Sequence, residues 1–100
     1  MDDERKRALK QQARNQERRT FVLAMPVTLT QASSLIAAID ARLRSESCDH
    51  THRMTIEWCR QQALDADLIT DWASNHGGYC DCEVAANLAD PIEDAGKLRE

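Results

Sequence analysis

The chain has 100 residues, 42% of them hydrophobic but only 4% aromatic, so one small domain with a thin, mostly aliphatic core is expected. The formal net charge of −4 is unevenly spread: residues 1–19 hold seven Lys/Arg against four Asp/Glu, and the other 81 hold six against thirteen. No run of about 18 apolar residues is present to cross a membrane, the charged N-terminal stretch lacks the apolar segment of a signal peptide, and the acidic body argues against a domain-wide nucleic-acid surface.

Residues 2–19, dominated by Glu, Arg, Lys, Gln, Ala and Leu, predict a basic helix. Its apolar content, Ala8, Leu9 and Ala13, is too small for a core face. Phe21, Val22 and Leu23 then lead to Met25-Pro26, and because proline disfavours helix at the residue before it, this stretch is expected to be extended or a turn. Thr28 and Gln31 match a capping box. Behind it, Ala32, Leu35, Ile36, Ile39 and Leu43 form one apolar stripe at helical spacing.

Ser45–Asp49 reads as a loop carrying Cys48. A second core helix is predicted from about Thr51 to Gln62, with Met54 and Trp58 on one face and Cys59 beside them. Asp65 is the expected N-cap of a third, with Leu68, Ile69, Trp72 and Ala73 as its buried stripe and Gly77 at its left-handed C-terminal stop. Tyr79, Cys80, Cys82, Val84 and Ala86 alternate in a way that predicts a short strand after the Gly77-Gly78 turn. Asp90-Pro91-Ile92-Glu93 then reads as the start of a short last helix.

Two short motifs carry metal chemistry. Cys48-Asp49-His50 is a C-x-H pair, Cys80-Asp81-Cys82 is a C-x-C pair, and 29 residues separate them. Donors at i and i+2 of an extended segment point to the same side, so each pair offers two ligands to one ion. Three thiolates and one imidazole suit tetrahedral zinc. Four cysteines in a chain expected in the cytoplasm, where thiols stay reduced, favour a metal over a disulfide framework. Cys59 has no partner at ligand spacing and is assigned to the core. His52 and His76 are spare donors, read as ordinary helix residues. Asp49 and Asp81 alternate with the ligands and should point away or accept hydrogen bonds behind them. Glu83 or His76 could act with metal-bound water if the zinc kept an open position.

The segments CDHTHRMTIEW (48–58) and GGYCDCEVAANL (77–88) make the chain resemble a small bacterial family known as domain of unknown function 2695. MPVTLTQASSLIAAIDARL (25–43) and the basic arm before it are similar in pattern. The resemblance implies a shared Cys/His metal site and carries no activity with it. His52 departs from the apolar residue expected at that position, which leaves His50 as the ligand.

These observations define an expected α+β fold: a small helix-dominated domain with three core helices, a short strand or hairpin and a basic N-terminal helix. The expected division is a basic arm (1–20), a zinc-binding core (21–90) and a short C-terminal helix or tail (91–100). The expected function is a zinc-binding module with a structural Cys48, His50, Cys80, Cys82 site and an interaction or regulatory role without catalysis. A zinc hydrolase with an open metal position and a thiol-based redox or metal sensor are the alternatives. A protein partner is favoured over nucleic acid for the basic arm, which lacks interleaved aromatics for base stacking. No membrane association is expected, and the chain should be a monomer or weak homodimer.

Overall fold

The computed structural model describes residues 2–97. Five helices follow in order: α1 (Asp2–Ala24), α2 (Leu29–Leu43), α3 (Arg53–Gln61), α4 (Ala66–Asn75) and α5 (Asp81–Ala95). Among the described residues there is no strand, so the expected α+β class is corrected to all-helical. The segment read as a strand is the start of α5, with Cys80 as its N-cap. Val84, Ala85, Leu88, Ile92 and Ala95 are its buried residues, spaced for a helix face. The two-residue alternation at its beginning was a coincidence of a few positions, with no second strand to pair with.

Two further boundaries differ from expectation for physical reasons. α1 does not stop near residue 19 but runs to Ala24, because Phe21 finds an apolar seat. Its ring centroid lies 5.9 Å from that of Trp72 and 5.2 Å from that of His76. The helix then ends just ahead of Met25-Pro26, as the proline requires. At the other end, the expected separate helix at Asp90-Pro91 is part of α5, which continues through Pro91. An interior proline removes one helical hydrogen bond at a cost of about 3 kcal/mol. Burial of Leu88 (0% exposed), Ile92 (4%) and Ala95 (1%) on both sides of it offsets that cost.

The core lies where α2 and α5 pack against each other and α3 and α4 close the end. Ala32, Leu35, Ile36 and Ile39 of α2 meet Val84, Leu88 and Ile92 of α5, with Met54, Trp58, Cys59, Ile69 and Trp72 filling the remainder. The predicted α2 cap is present in both directions: the Gln31 N–H donates to Thr28 Oγ1 at 3.1 Å, and the Thr28 N–H to Gln31 Oε1 at 2.9 Å. Asp65 caps α4 as expected, accepting from the N–H groups of Asp67 and Leu68. Leu68, expected in the α4 stripe, is instead 57% exposed. Cys59 is fully buried in the core, and that burial pushes its thiol up. α1 docks through its last turns only. Arg18 grips Asp94 of α5 with Nε–Oδ2 at 3.3 Å and Nη2–Oδ1 at 3.1 Å, while residues 3–14 are exposed. The molecule is accordingly elongated, 53 × 24 × 19 Å.

Both α3 and α4 end in a left-handed turn of the Schellman type. After α4 the Gly78 N–H returns to the Ala73 carbonyl (2.8 Å) and the Gly77 N–H to that of Ser74 (3.2 Å). After α3 the Leu64 N–H returns to Cys59 (2.9 Å) and the Ala63 N–H to Arg60 (3.2 Å), with Ala63 at φ 55°. Glycine takes that conformation without the Cβ penalty. Ala63→Gly should therefore raise the unfolding free energy by about 0.5–1 kcal/mol, read as a higher urea midpoint with an unchanged slope.

Candidate metal centre

Three donors predicted from sequence converge. Ligand atoms of Cys48, His50 and Cys80 all lie within 4.8 Å of one another. The fourth predicted donor is adjacent, with Cys82 Sγ 3.3 Å from Cys80 Sγ. The site sits where the loop before α3 meets the start of α5. His50 holds φ 64°, a left-handed conformation in which His is more common than most residues but still uncommon. Strain of this kind persists where the surroundings hold it, as they do at ligand-binding positions.

That loop is organised by Asp49, whose carboxylate bonds to the loop itself and to α3. Its Oδ1 accepts from the Thr51 N–H (3.1 Å) and hydroxyl (2.6 Å), and its Oδ2 from Arg53 Nε (3.3 Å). The Thr51 hydroxyl is the main reason the Asp49 carboxyl titrates below its ordinary value. Arg53 also reaches Glu46, which bonds Arg42 of α2, and Arg42 in turn pairs with Glu57 of α3. This chain of ion pairs ties the end of α2 to the start of α3 on either side of Cys48 and His50.

Asp81 is the residue whose role sequence reasoning missed in its particulars. It has no exposed surface. Its carboxylate accepts from the Met54 N–H (2.9 Å), the Thr55 N–H (3.0 Å) and the Thr55 hydroxyl (2.8 Å). These N–H groups belong to the first turn of α3, whose own N-cap residue, His52, makes no side-chain capping bond. Asp81 thus caps α3 from a different helix, and its own N–H donates to the Thr51 carbonyl at 2.9 Å. The available clue was negative: α3 begins without a Ser, Thr, Asp or Asn at its cap, while an aspartate stands between two candidate ligands.

His52 and His76 lie outside the donor cluster. His52 donates from Nε2 to the Gly78 carbonyl at 2.7 Å, a second tie between the loop and the glycine turn. His76 is packed against the rings of Phe21 and Trp72. The glycine turn is itself shaped for the site. Gly77 has φ +85°, and its carbonyl accepts from Asn87 Nδ2 at 2.8 Å. A Cβ on Gly78 would sit 2.9 Å from Val84 Cγ2 and 3.1 Å from the Ala73 carbonyl oxygen. Only glycine lets the chain turn back this closely onto α5.

The sulfur environments are unequal. The backbone N–H of Cys82 acts most strongly on Cys48 and, with that of His50, holds its thiol below the ordinary value. Cys80 is drawn down by the Glu83 N–H, but burial and the neighbouring Cys82, Cys48 and Glu83 side chains outweigh this and push it up to about 12. A divalent ion bound here must therefore displace the proton that the Cys80 thiol holds.

The chain belongs to the family described as protein of unknown function (DUF2695), which matches residues 35–87 and bears out the resemblance of the two Cys/His segments. That span holds all four predicted donors together with His52, Gly78 and Asp81. The chain is similar to uncharacterized protein Rv2271 of Mycobacterium tuberculosis and uncharacterized protein Mb2294 of Mycobacterium bovis, each 30% identical over 87 residues, 87% of this chain and 88% of the relative. No solved structure matches the chain.

Replacing Asp81 tests the cap directly. Asp81→Ala leaves two N–H groups and a hydroxyl buried without a partner and should cost about 3 kcal/mol of unfolding free energy. Asp81→Asn, which keeps one acceptor oxygen, should cost about half as much in the same denaturation experiment.

Proposed function

We propose that the protein is a zinc-stabilised binding module in which Cys48, His50, Cys80 and Cys82 hold one structural zinc ion and no catalytic step occurs. The observation that carries this reading is the convergence of Cys48, His50 and Cys80 donors within 4.8 Å, with a third thiol 3.3 Å from Cys80. The donor chemistry fits zinc: soft thiolates and an imidazole are its usual structural ligands. The surroundings fit the charge as well. A Cys3His zinc centre is net anionic, and it would sit at the N-terminus of α5, where the helix dipole favours negative charge. Cys48 to Cys82 spans 35 residues of chain, so a shared ion would close a long loop in a protein with a thin core.

The basic arm supplies the binding surface in this reading. Arg7, Lys10 and Arg14 recur on one face of the exposed part of α1. A protein with an acidic surface is the partner that such a ridge suits, since no aromatic residue stands among these positions to stack on bases.

A hydrolytic reading has one observation in its favour: Glu83 Oε1 lies 3.4 Å from Cys80 Sγ, close enough to a bound ion to serve a water molecule. It requires Cys82 to leave the fourth position to water.

Elemental analysis of the purified protein and its variants separates these readings. One zinc per chain is expected, retained in His52→Ala and reduced in Cys48→Ser, His50→Ala, Cys80→Ser and Cys82→Ser. A strong chelator should lower the thermal midpoint of the wild-type chain by several degrees. Full zinc in His50→Ala with loss in His52→Ala would refute the ligand assignment. Full zinc in Cys82→Ser would favour the open position.

A further inference from the structure

The three clustered sulfurs differ in access and in chain position, and that difference has a chemical consequence. Cys80 is buried, at 4% exposure, whereas Cys48 and Cys82 are both partly open to solvent. Cys80 Sγ lies within 4.8 Å of Cys48 Sγ and 3.3 Å from Cys82 Sγ, so the three sulfurs form one cluster. Cys80 and Cys82 are in contact at 3.3 Å but are separated by one residue at the first turn of α5, where closing a disulfide strains the backbone. Cys48 lies on a different segment, in the loop before α3, so it can pair with a thiol at the start of α5 without that constraint.

We propose that Cys48 and Cys82 form a peroxide-sensitive thiol pair that exchanges the metal tie for a disulfide between the same two segments. This rests on the zinc reading for the metal it releases, though not for the bond it forms. The Cys48 sulfur attacks one oxygen of hydrogen peroxide, an S–O bond forms, the O–O bond breaks, and the departing hydroxide takes a proton to become water. The Cys82 sulfur then attacks the Cys48 sulfenic acid, an S–S bond forms, the S–O bond breaks, and a second water leaves. The two sulfurs lose two electrons and the peroxide gains them. Starting from zinc-bound thiolates, two protons from solvent complete the waters and Zn²⁺ is set free. His50 and Cys80 alone are too few ligands to retain it. The loop before α3 and the start of α5 stay joined, now covalently, so release of the ion need not unfold the chain.

The test uses the full-length, zinc-loaded protein treated with a small excess of hydrogen peroxide under anaerobic work-up. Zinc is followed with a chromogenic chelator, the intact mass by mass spectrometry, the pairing by peptide mapping, and the fold by circular dichroism. The expected result is full zinc release, a mass lower than the reduced protein by about 2 Da for the two hydrogens lost, a Cys48–Cys82 peptide, retained helicity, and reversal by thiol and zinc. Cys59→Ser should behave as wild type. In Cys82→Ser the disulfide peptide should be missing and Cys48 should gain oxygen instead. Zinc retained under peroxide, a Cys80–Cys82 link, or oxygen addition without any disulfide would overturn the proposal while leaving the metal site standing. Purification without zinc, but with the Cys48–Cys82 disulfide forming on oxidation, would overturn the metal reading and leave the thiol pair.

Discussion

The buried carboxylate of Asp81 is the contact on which the rest of the arrangement depends. It opens α5, yet its oxygens are spent on the first turn of α3. α3 has only 9 residues, below the length at which a helix is stable alone, and its N-cap residue, His52, makes no side-chain capping bond. A carboxylate at a helix N-terminus supplies acceptors for otherwise orphaned N–H groups and matches the positive end of the dipole. Because Cys80 and Cys82 flank Asp81, seating this carboxylate also sets where both sulfurs stand. Because Cys48 and His50 stand just ahead of α3, fixing the start of that helix places the other two donors. The cap and the donor cluster are therefore one construction, reinforced by the Asp81 N–H to the Thr51 carbonyl and by His52 on the Gly78 carbonyl.

What could be read in the sequence was what is local. Thr28 with Gln31 and Asp65 with its two following N–H groups are caps made within a few residues, and both appear as the pattern predicts. The α2 stripe was equally plain, since four turns of regular spacing leave one way to fold. The same reasoning misled at Tyr79–Ala86, where a few alternating positions resembled a strand although Val84, Leu88 and Ile92 already formed a helical face. It misled again at Pro91, where packing of α5 on α2 outweighs the local preference to break. Phe21 lay in a stretch read as extended because its partners, Trp72 and His76, are fifty residues away in sequence.

The grouping of Cys48, His50 and Cys80 was legible for a chemical reason: cysteine and histidine in closely spaced pairs are typical of metal-ligand sets. What the residues could not reveal was how the two halves find one another. The cap by Asp81 runs over 27 residues and the His52 tie over 26, and neither leaves a local signature. The closeness of the glycine turn to Val84 was hidden in the same way, although the two glycines advertised a tight passage.

The proposed Cys48, His50, Cys80 and Cys82 zinc site carries the functional reading. X-ray absorption at the zinc edge of the purified, reduced protein tests it most directly. Three sulfur scatterers at about 2.3 Å and one nitrogen at about 2.0 Å are expected, with imidazole multiple scattering that disappears in His50→Ala. A shell dominated by oxygen and nitrogen, or an imidazole signal that survives His50→Ala, would contradict it.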